Sequence, residues 1–425
     1  MNKKSPELPP IYFDLKSNNY LMELNPGRFT PLSSSDVKAH LQMRGHHTDM
    51  KNDHGLSFGN EILAKAQVHS YVDYAGPLAG YKAGLMETRS GERLLVTKSV
   101  NVPEPGKKKS IPWFEDFVSQ IFTTAEQMAF FFAWLKIGYE ALYDGTMMPG
   151  QLLGLIGPGG CGKTFMQWCI TGVLGGRYAR PYQYMVGKTP FNEDLAMAEH
   201  HIMGDEEMSY DIRARKKFGA MIKQLCVEPA MRVHGKGKLA FTAETFRRLT
   251  ASVNDEPEHM LFFPPFDSDI KPKIMLLKCS PAKVLDRNRD KNQKRFFDEL
   301  PAIAAYLRGF NICRAMQDDR FGVKAYQHPE LIATVEESAP EIQLLNIIDD
   351  DLKLDDQAAW FGTAEDLKLE LQSGKHASTV YELLKFPNAA GWYLSRLKQK
   401  FPARFVKTSS KGRTRWTITK EETNG

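Results

Sequence analysis

The segment Gly157-Pro158-Gly159-Gly160-Cys161-Gly162-Lys163-Thr164 constrains this chain more than any other stretch. It follows the apolar run Leu152-Leu153-Gly154-Leu155-Ile156 and leads into a helix-like stretch over residues 165–174. Strand, glycine-rich loop and helix, in that order, make a P-loop. Glycines let successive backbone N–H groups turn inward around phosphates, and the helix N-terminus adds positive potential. Lys163 is placed to reach the β/γ-phosphates and the Thr164 hydroxyl to sit on Mg²⁺. The expected ligands are ATP and Mg²⁺, with all eight loop residues forming the phosphate site. Helix-like stretches alternate with strand-like ones on either side of the loop, which implies an α/β sheet.

A chain of 425 residues is too long for one ordinary domain, so two to four units are expected. The net charge of +5 permits a nucleic-acid partner without requiring one, because local patches decide. The longest aromatic-rich run, Ala129-Phe130-Phe131-Phe132-Ala133-Trp134-Leu135, ends at Lys136 and is too short to span a bilayer. Met1-Asn2-Lys3-Lys4-Ser5-Pro6 lacks the apolar core of a signal peptide. The five cysteines, at 161, 169, 226, 279 and 313, form no Cys-x-x-Cys pair. Neither a zinc site nor a disulfide framework is expected, and a reducing cytoplasm fits. Cys161 occupies a variable position of the loop and reads as a tolerated small residue rather than a redox switch, although oxidation there would block the site.

Residues 1–110 read as an accessory region of short strands and turns, with no catalytic constellation; the adjacent His46 and His47 lack metal-ligand spacing. Residues 111–150 turn helical, with Thr124 as a cap, and serve packing or oligomerisation. Beyond the P-loop, Tyr182-Gln183-Tyr184-Met185-Val186 reads as a second strand. The strand His200-His201-Ile202-Met203-Gly204 runs into Asp205-Glu206-Glu207, about 40 residues past Lys163. Asp205 is the candidate for holding the Mg²⁺ shell and Glu206 for deprotonating the attacking water, with Glu207 as its rival. Residues 231–241 read as a tight hairpin whose tip carries Lys236 and Lys238. Such a tip suits a phosphate backbone, and a solvated turn is the plainer reading. The strand over residues 246–255 carries Asn254 near its end, placed to hydrogen-bond the attacking water or the γ-phosphate. A fifth strand follows at Ile274-Met275-Leu276-Leu277-Lys278, then a helix over 291–309.

This order of motifs resembles the superfamily-three helicases, AAA+ motors of viruses, phages and plasmids. The nearer likeness is to the primase-helicase replication proteins of phages and mobile elements. It covers roughly residues 113–420, including Arg320-Phe321-Gly322-Val323-Lys324-Ala325-Tyr326-Gln327-His328-Pro329-Glu330. The resemblance implies a ring, usually a homo-hexamer, with ATP between subunits and single-stranded or forked DNA as partner. Other replication proteins are further possible partners, and no membrane is involved. It places Asn254 at the sensor position and Lys236 and Lys238 on the pore hairpin. Where the family has an arginine finger, this chain has Lys273, or Lys271; Arg287, Arg289 and Arg295 are rivals. No primase site or zinc ribbon is recognisable.

An acidic segment over 331–362 reads as a solvated linker. Residues 363–425 then follow a helix-helix-helix-hairpin pattern, that of a winged helix. Arg396, Lys398, Lys400, Lys407, Lys411, Arg413 and Arg415 give its third helix and wing a basic face for duplex DNA. The expected architecture is an AAA+ P-loop ATPase domain over 151–330, with a mixed α+β N-terminal region and a C-terminal winged helix. The expected function is ATP-dependent DNA unwinding in replication of a phage or mobile element. An initiator or loader that remodels DNA without unwinding, and a DNA-binding protein with an ATP assembly switch, remain alternatives.

Overall fold

A strand buried on both faces must be covered by helices on both sides, and residues 152–156, just before the glycine-rich loop, are buried along their whole length. The computed structural model describes residues 7–89, 91–204, 212–237, 240–264, 266–337, 340–352, 354, 359–410 and 413–420. The chain divides into two units, residues 1–255 with 267–328, and residues 256–266 with 329–425.

The first unit begins with two small sheets. β1 (Ile11–Asp14), β2 (Asn19–Asn25) and β3 (Arg28–Leu32) form an antiparallel meander. α1 (Ser34–Met43) starts at a capping box of Ser33 with Asp36, and α2 (Phe58–His69) starts at Ser57. β4 (Tyr71–Val72) returns parallel to β1. β5 (Tyr74–Gly76), β6 (Gly84–Glu87) and β7 (Arg93–Val96) make the second sheet.

α3 (Pro112–Ile121) and α4 (Ala125–Asp144) come next, the latter capped by the Thr124 hydroxyl at one end and by Gly145 in the left-handed region at the other. Phe114, Phe117, Phe131, Phe132 and Trp134 of these helices belong to the central core. The apolar faces of residues 111–150 are therefore used inside this unit, for packing.

The central sheet is wholly parallel. After β8 (Leu152–Ile156) come α5 (Lys163–Val173), β9 (Tyr178–Ala179), α6 (Tyr182–Met185) and α7 (Glu193–Ala196). β10 (His200–Gly204) and α8 (Ile212–Leu225) lead to the antiparallel pair β11 (Ala230–Val233) and β12 (Phe241–Glu244). β13 (Arg248–Val253) precedes α9 (Pro257–Met260), which belongs to the second unit; the chain then returns through β14 (Ile274–Lys278) and α10 (Arg289–Gly309). The strand order is β14-β8-β13-β10-β9, which puts the P-loop strand between β14 and β13. Residues 182–186, expected as a strand, are instead helical: Pro181 fixes the entry, and Tyr182 and Met185, three apart, are both buried on one side of the turn. β9 fills the strand position. The hairpin is joined by residues 234–240, a longer connection than the tight turn expected.

The second unit holds α11 (Pro329–Glu337), α12 (Pro340–Leu352), β15 (Trp360–Gly362), α13 (Ala364–Leu371), α14 (Ala377–Leu383), α15 (Ala389–Lys400), β16 (Phe405–Ser410) and β17 (Arg413–Ile418). Its three strands are antiparallel in the order β15-β17-β16. The expected linker at 331–362 is thus largely helical. Leu344, Leu345, Ile347 and Ile348 form an apolar stripe on α12 inside the core, and Asp349 pairs with Arg404 while Asp351 accepts from His376 Nδ1 at 2.9 Å. No helix among the described residues is long and apolar enough to cross a membrane.

One buried carboxylate ties the N-terminal strands to the central sheet. Glu199, fully buried beside β10, accepts from the Gly80 N–H at 3.0 Å and from Arg177 Nε at 2.9 Å and Nη2. Arg177 also donates to the carbonyls of Leu78 and Lys98. Glu199→Ala leaves a mostly buried guanidinium and the Gly80 N–H without that partner, an expected loss of about 3–5 kcal/mol. Urea unfolding measures it: Glu199→Gln, which keeps an acceptor, should lose less than Glu199→Ala, and equal stability of Glu199→Ala and wild type would contradict the anchor.

Candidate nucleotide and nucleic-acid site

The P-loop emerges where β8 ends. Gly157 donates to the Val253 carbonyl at 3.2 Å, which fixes the start of the loop against the end of β13. A Cβ at Gly157 would lie 2.2 Å from the Cys279 carbonyl, so only glycine fits there. Gly162 has φ 111°, a conformation that hands the chain directly into α5. Gly159 and Gly160 are exposed, with nothing within 4 Å of an added Cβ, so the outer face of the loop is open.

Lys163 is 5% exposed, and its ammonium is held by three oxygens. It donates to the carbonyls of Gly157 and Pro158, the latter at 2.9 Å, and to Asn254 Oδ1 at 3.0 Å. Asn254 directly follows β13, whose neighbour is β8, so parallel pairing brings residues 91 apart in sequence into one hydrogen bond. The Thr164 side chain is exposed at the first turn of α5. An open glycine loop, a positioned ammonium and an exposed hydroxyl fit a triphosphate with its divalent cation.

Sequence reasoning missed the neighbour of Cys161. The segment after β14 crosses the loop: Ala282 N–H donates to the Cys161 carbonyl at 3.3 Å, and the Cys279 thiol faces the Cys161 sulfur. The hydrogen bond from Cys279 draws the Cys161 thiol down to about 6, aided by the Lys163 charge and opposed by burial. Leu285 of the same segment closes on Gly162, its Cδ1 lying 3.0 Å from where a Cβ would stand.

Beneath the loop lies a buried polar network that joins α5, β10 and β13. The Thr171 hydroxyl donates to the Gln167 carbonyl at 2.9 Å, so His200 Nδ1–H donates to Thr171 Oγ1 at 2.7 Å. His200 Nε2 then accepts from the Thr250 hydroxyl at 2.9 Å, while Gln167 Nε2 donates to Thr250 Oγ1 and to the Met203 carbonyl. The tautomer follows from this chain of donors. The sequence signal was the histidine pair that opens β10 and the threonine in the middle of β13.

Other expected site residues are more dispersed. Asp205, Glu206, Glu207, Lys238 and Lys411 lie outside the described residues, and of Arg413 only the strand position is described. β10 ends at Gly204, level with Ser252, so the acidic triplet follows directly from a strand beside β13. Lys236 is exposed at the hairpin tip. Lys273 is 9% exposed and its ammonium is turned onto the Asp269 carbonyl, before the N-terminal end of β14 and so at the end of the strands away from the P-loop; Lys271 beside it is exposed, as are Arg287, Arg289 and Arg295. In the second unit Arg396 and Lys400 share the buried Glu341, at 3.3 and 3.7 Å, with their side chains still 42% and 40% exposed. Lys398, Lys407 and Arg415 are exposed. Register pairs Lys407 with Trp416 and Thr408 with Arg415, so Lys407 and Arg415 stand on opposite faces of the strand pair.

Burial holds both histidines of β10 neutral, with His200 lowered to about 3 and His201 to about 4. Both values lie below the ordinary 6.5, so the unfolded chain binds more protons below that pH. Stability is therefore fully present above about pH 6.5 and declines as pH falls toward 4 and then 3. At pH 5 the expected loss is about 2 kcal/mol for each histidine relative to pH 7. Urea unfolding at the two pH values measures it, and a His200→Asn variant should show a shallower decline. An unchanged slope in that variant would contradict the assignment.

No family model and no curated protein matches this chain. Solved structures do resemble it. The A-form apo structure of the NrS-1 C-terminal region superposes with a TM-score of 0.55 at 14% identity, over 97% of this chain and 96% of that one. A second apo structure of the same region gives 0.57 at 13% identity with the same coverage. An SCCmec type IV active helicase, Cch, reaches a TM-score of only 0.28 at 9% identity, over 93% of this chain and 74% of that one, too low to carry an argument. The chain thus shares its fold with the NrS-1 C-terminal region, nearly from end to end of both.

Proposed function

We propose that this chain is an ATP-driven DNA helicase, acting as a ring in the replication of a phage or mobile element. The observation that carries the reading is the meeting of Lys163 with Asn254 at the open end of the parallel sheet. A P-loop lysine alone only binds phosphate. An amide from the neighbouring strand, within reach of the same ammonium, lets the site sense whether the terminal phosphate is present. ATP with Mg²⁺ supplies the phosphoryl group whose hydrolysis drives movement. Lys163 would exchange its carbonyl partners for phosphate oxygens, Thr164 and Asp205 would hold the metal, and Glu206 would orient and deprotonate water. Lys271 or Lys273, or an arginine at 287, 289 or 295, would complete the site across a subunit boundary.

The β11–β12 hairpin supports a coupling of that site to a strand. Asn192, just before α7, grips the hairpin: its Nδ2 donates to the Arg232 carbonyl at 2.9 Å and its Oδ1 accepts from the His234 N–H at 2.7 Å. Lys236 and Lys238 at the tip would bear on the phosphates of single-stranded DNA. The second unit, read as a winged helix, would contact duplex DNA or another replication protein through Lys398, Lys407, Lys411, Arg413 and Arg415.

A forked-duplex assay tests the reading. Wild type should displace a strand with DNA-stimulated ATP hydrolysis, and Lys163→Ala should lose hydrolysis by about 10²-fold or more. The Lys236→Ala/Lys238→Ala variant should keep hydrolysis and lose unwinding. Hydrolysis without unwinding by wild type on forks of either polarity would leave an initiator or loader.

A further inference from the structure

The first unit contains a second concave feature that shares no residue with the P-loop. It is a cleft of about 550 Å³, within the range of small-ligand sites. Three parts of the fold border it: the turn between β1 and β2, with Lys16, and Asn19 at the start of β2; Phe29 on β3, Tyr74 on β5 and Thr97 just after β7; and the hairpin connection, with Lys236. Sequence reading left residues 1–110 without a role, and this cleft joins them to the β11–β12 hairpin.

The hairpin is fixed over the cleft. Its Phe241 ring packs 4.7 Å from the Tyr74 ring, and the Lys16 ammonium lies 5.5 Å from the centre of the same Phe241 ring. With Asn192 holding the other strand, both strands of the hairpin are tied to their surroundings, and Lys236 and Gly237 border the cleft. Lys16 and Lys236 come from elements more than 200 residues apart and border the same space. Among the described residues of the lining only Asp14 is acidic; it is 8% exposed, and its carboxylate accepts from the Lys16 N–H at 3.0 Å and the Ser17 hydroxyl at 2.6 Å. The rim is therefore cationic, the floor of Phe29 and Tyr74 apolar, and the wall offers an amide and a hydroxyl.

We propose that this cleft holds one nucleotide unit of single-stranded DNA, with its phosphate between Lys16 and Lys236 and its base over the apolar floor beside Asn19. A base has a flat apolar face and a polar edge beside a charged phosphate, the same mixture the cleft presents. The inference rests on the hairpin being the strand-binding element of the motor, and adds that the N-terminal sheets form the other half of that grip. A free mononucleotide has the same chemistry, so the experiment includes one.

Fluorescence anisotropy of labelled oligothymidylate against the full chain is the test, with wild type, Lys16→Ala, Lys16→Arg, Lys236→Ala and the double alanine variant. Each lysine removed should weaken binding about fivefold near 0.1 M salt and lower the slope of log K against log salt by about 0.7, with Lys16→Arg restoring most of the affinity. Equal thermal midpoints show that the variants are folded. An oligomer bearing 4-thiothymidine should cross-link to peptides containing Phe29 or Tyr74. Wild-type affinity and slope in Lys16→Ala, with Lys236→Ala still weakened, would overturn the cleft while leaving the hairpin. Binding of thymidine 5′-monophosphate there as tightly as the oligomer would also overturn it, and failure of wild type to bind the oligomer at all would remove the strand-binding reading itself.

Discussion

The Lys163 ammonium, held among the Gly157 and Pro158 carbonyls and Asn254, is the interaction on which the rest of the site depends. A nearly buried cation needs several oxygens around it. Here those oxygens come from the loop that follows β8 and the residue that follows β13. That arrangement demands that β8 and β13 be parallel neighbours in the register they have, with Leu249 opposite Leu152 and Val253 opposite Ile156. A slip of one residue would move Asn254 about 3.3 Å along the sheet and break the contact. The network of Gln167, Thr171, His200 and Thr250 secures the same alignment from below, tying the P-loop helix to both β10 and β13.

The N-terminal sheets are part of the same construction. Glu199 sits at the start of β10 and reaches Gly80 and Arg177, so the strand that leads toward the acidic triplet also anchors residues 78–80. The Ala79 N–H donates to Ala196 and its carbonyl accepts from Phe246, which adds backbone bonds on either side of that anchor. A hairpin leaning on these sheets can be moved only with them or against them. On the proposed reading, the grip on a strand would be connected to the nucleotide site through these elements of one unit.

Much of this was legible in the sequence because it is local. The P-loop strand and helix, the Thr124 cap, the strand at 274–278 and the long helix ending at Gly309 each carry their own signal in periodicity or capping. What was not legible is what depends on long separations. The Lys163–Asn254 contact, the Cys279 thiol against Cys161 and the reach of Glu199 to Gly80 each join residues roughly a hundred positions apart, and nothing in a local pattern encodes them. The strand expected at 182–186 failed for the opposite reason. Its aromatic residues favour strands, but Pro181 and the buried pair Tyr182 and Met185 settle a turn of helix. In the second unit an acidic run masked the apolar stripe of α12, and the pairing of Arg396 and Lys400 with the buried Glu341, 55 residues from Arg396, carries no local signal.

The most direct measurement is calorimetric titration of the full chain with a non-hydrolysable ATP analogue and Mg²⁺, in wild type, Lys163→Ala and Asn254→Ala. The account predicts one site per chain, binding abolished in Lys163→Ala, and binding weakened about tenfold in Asn254→Ala, where one charged hydrogen bond is lost. Equal affinity in all three proteins would contradict it, because the nucleotide would then lie somewhere other than the loop that Lys163 and Asn254 share.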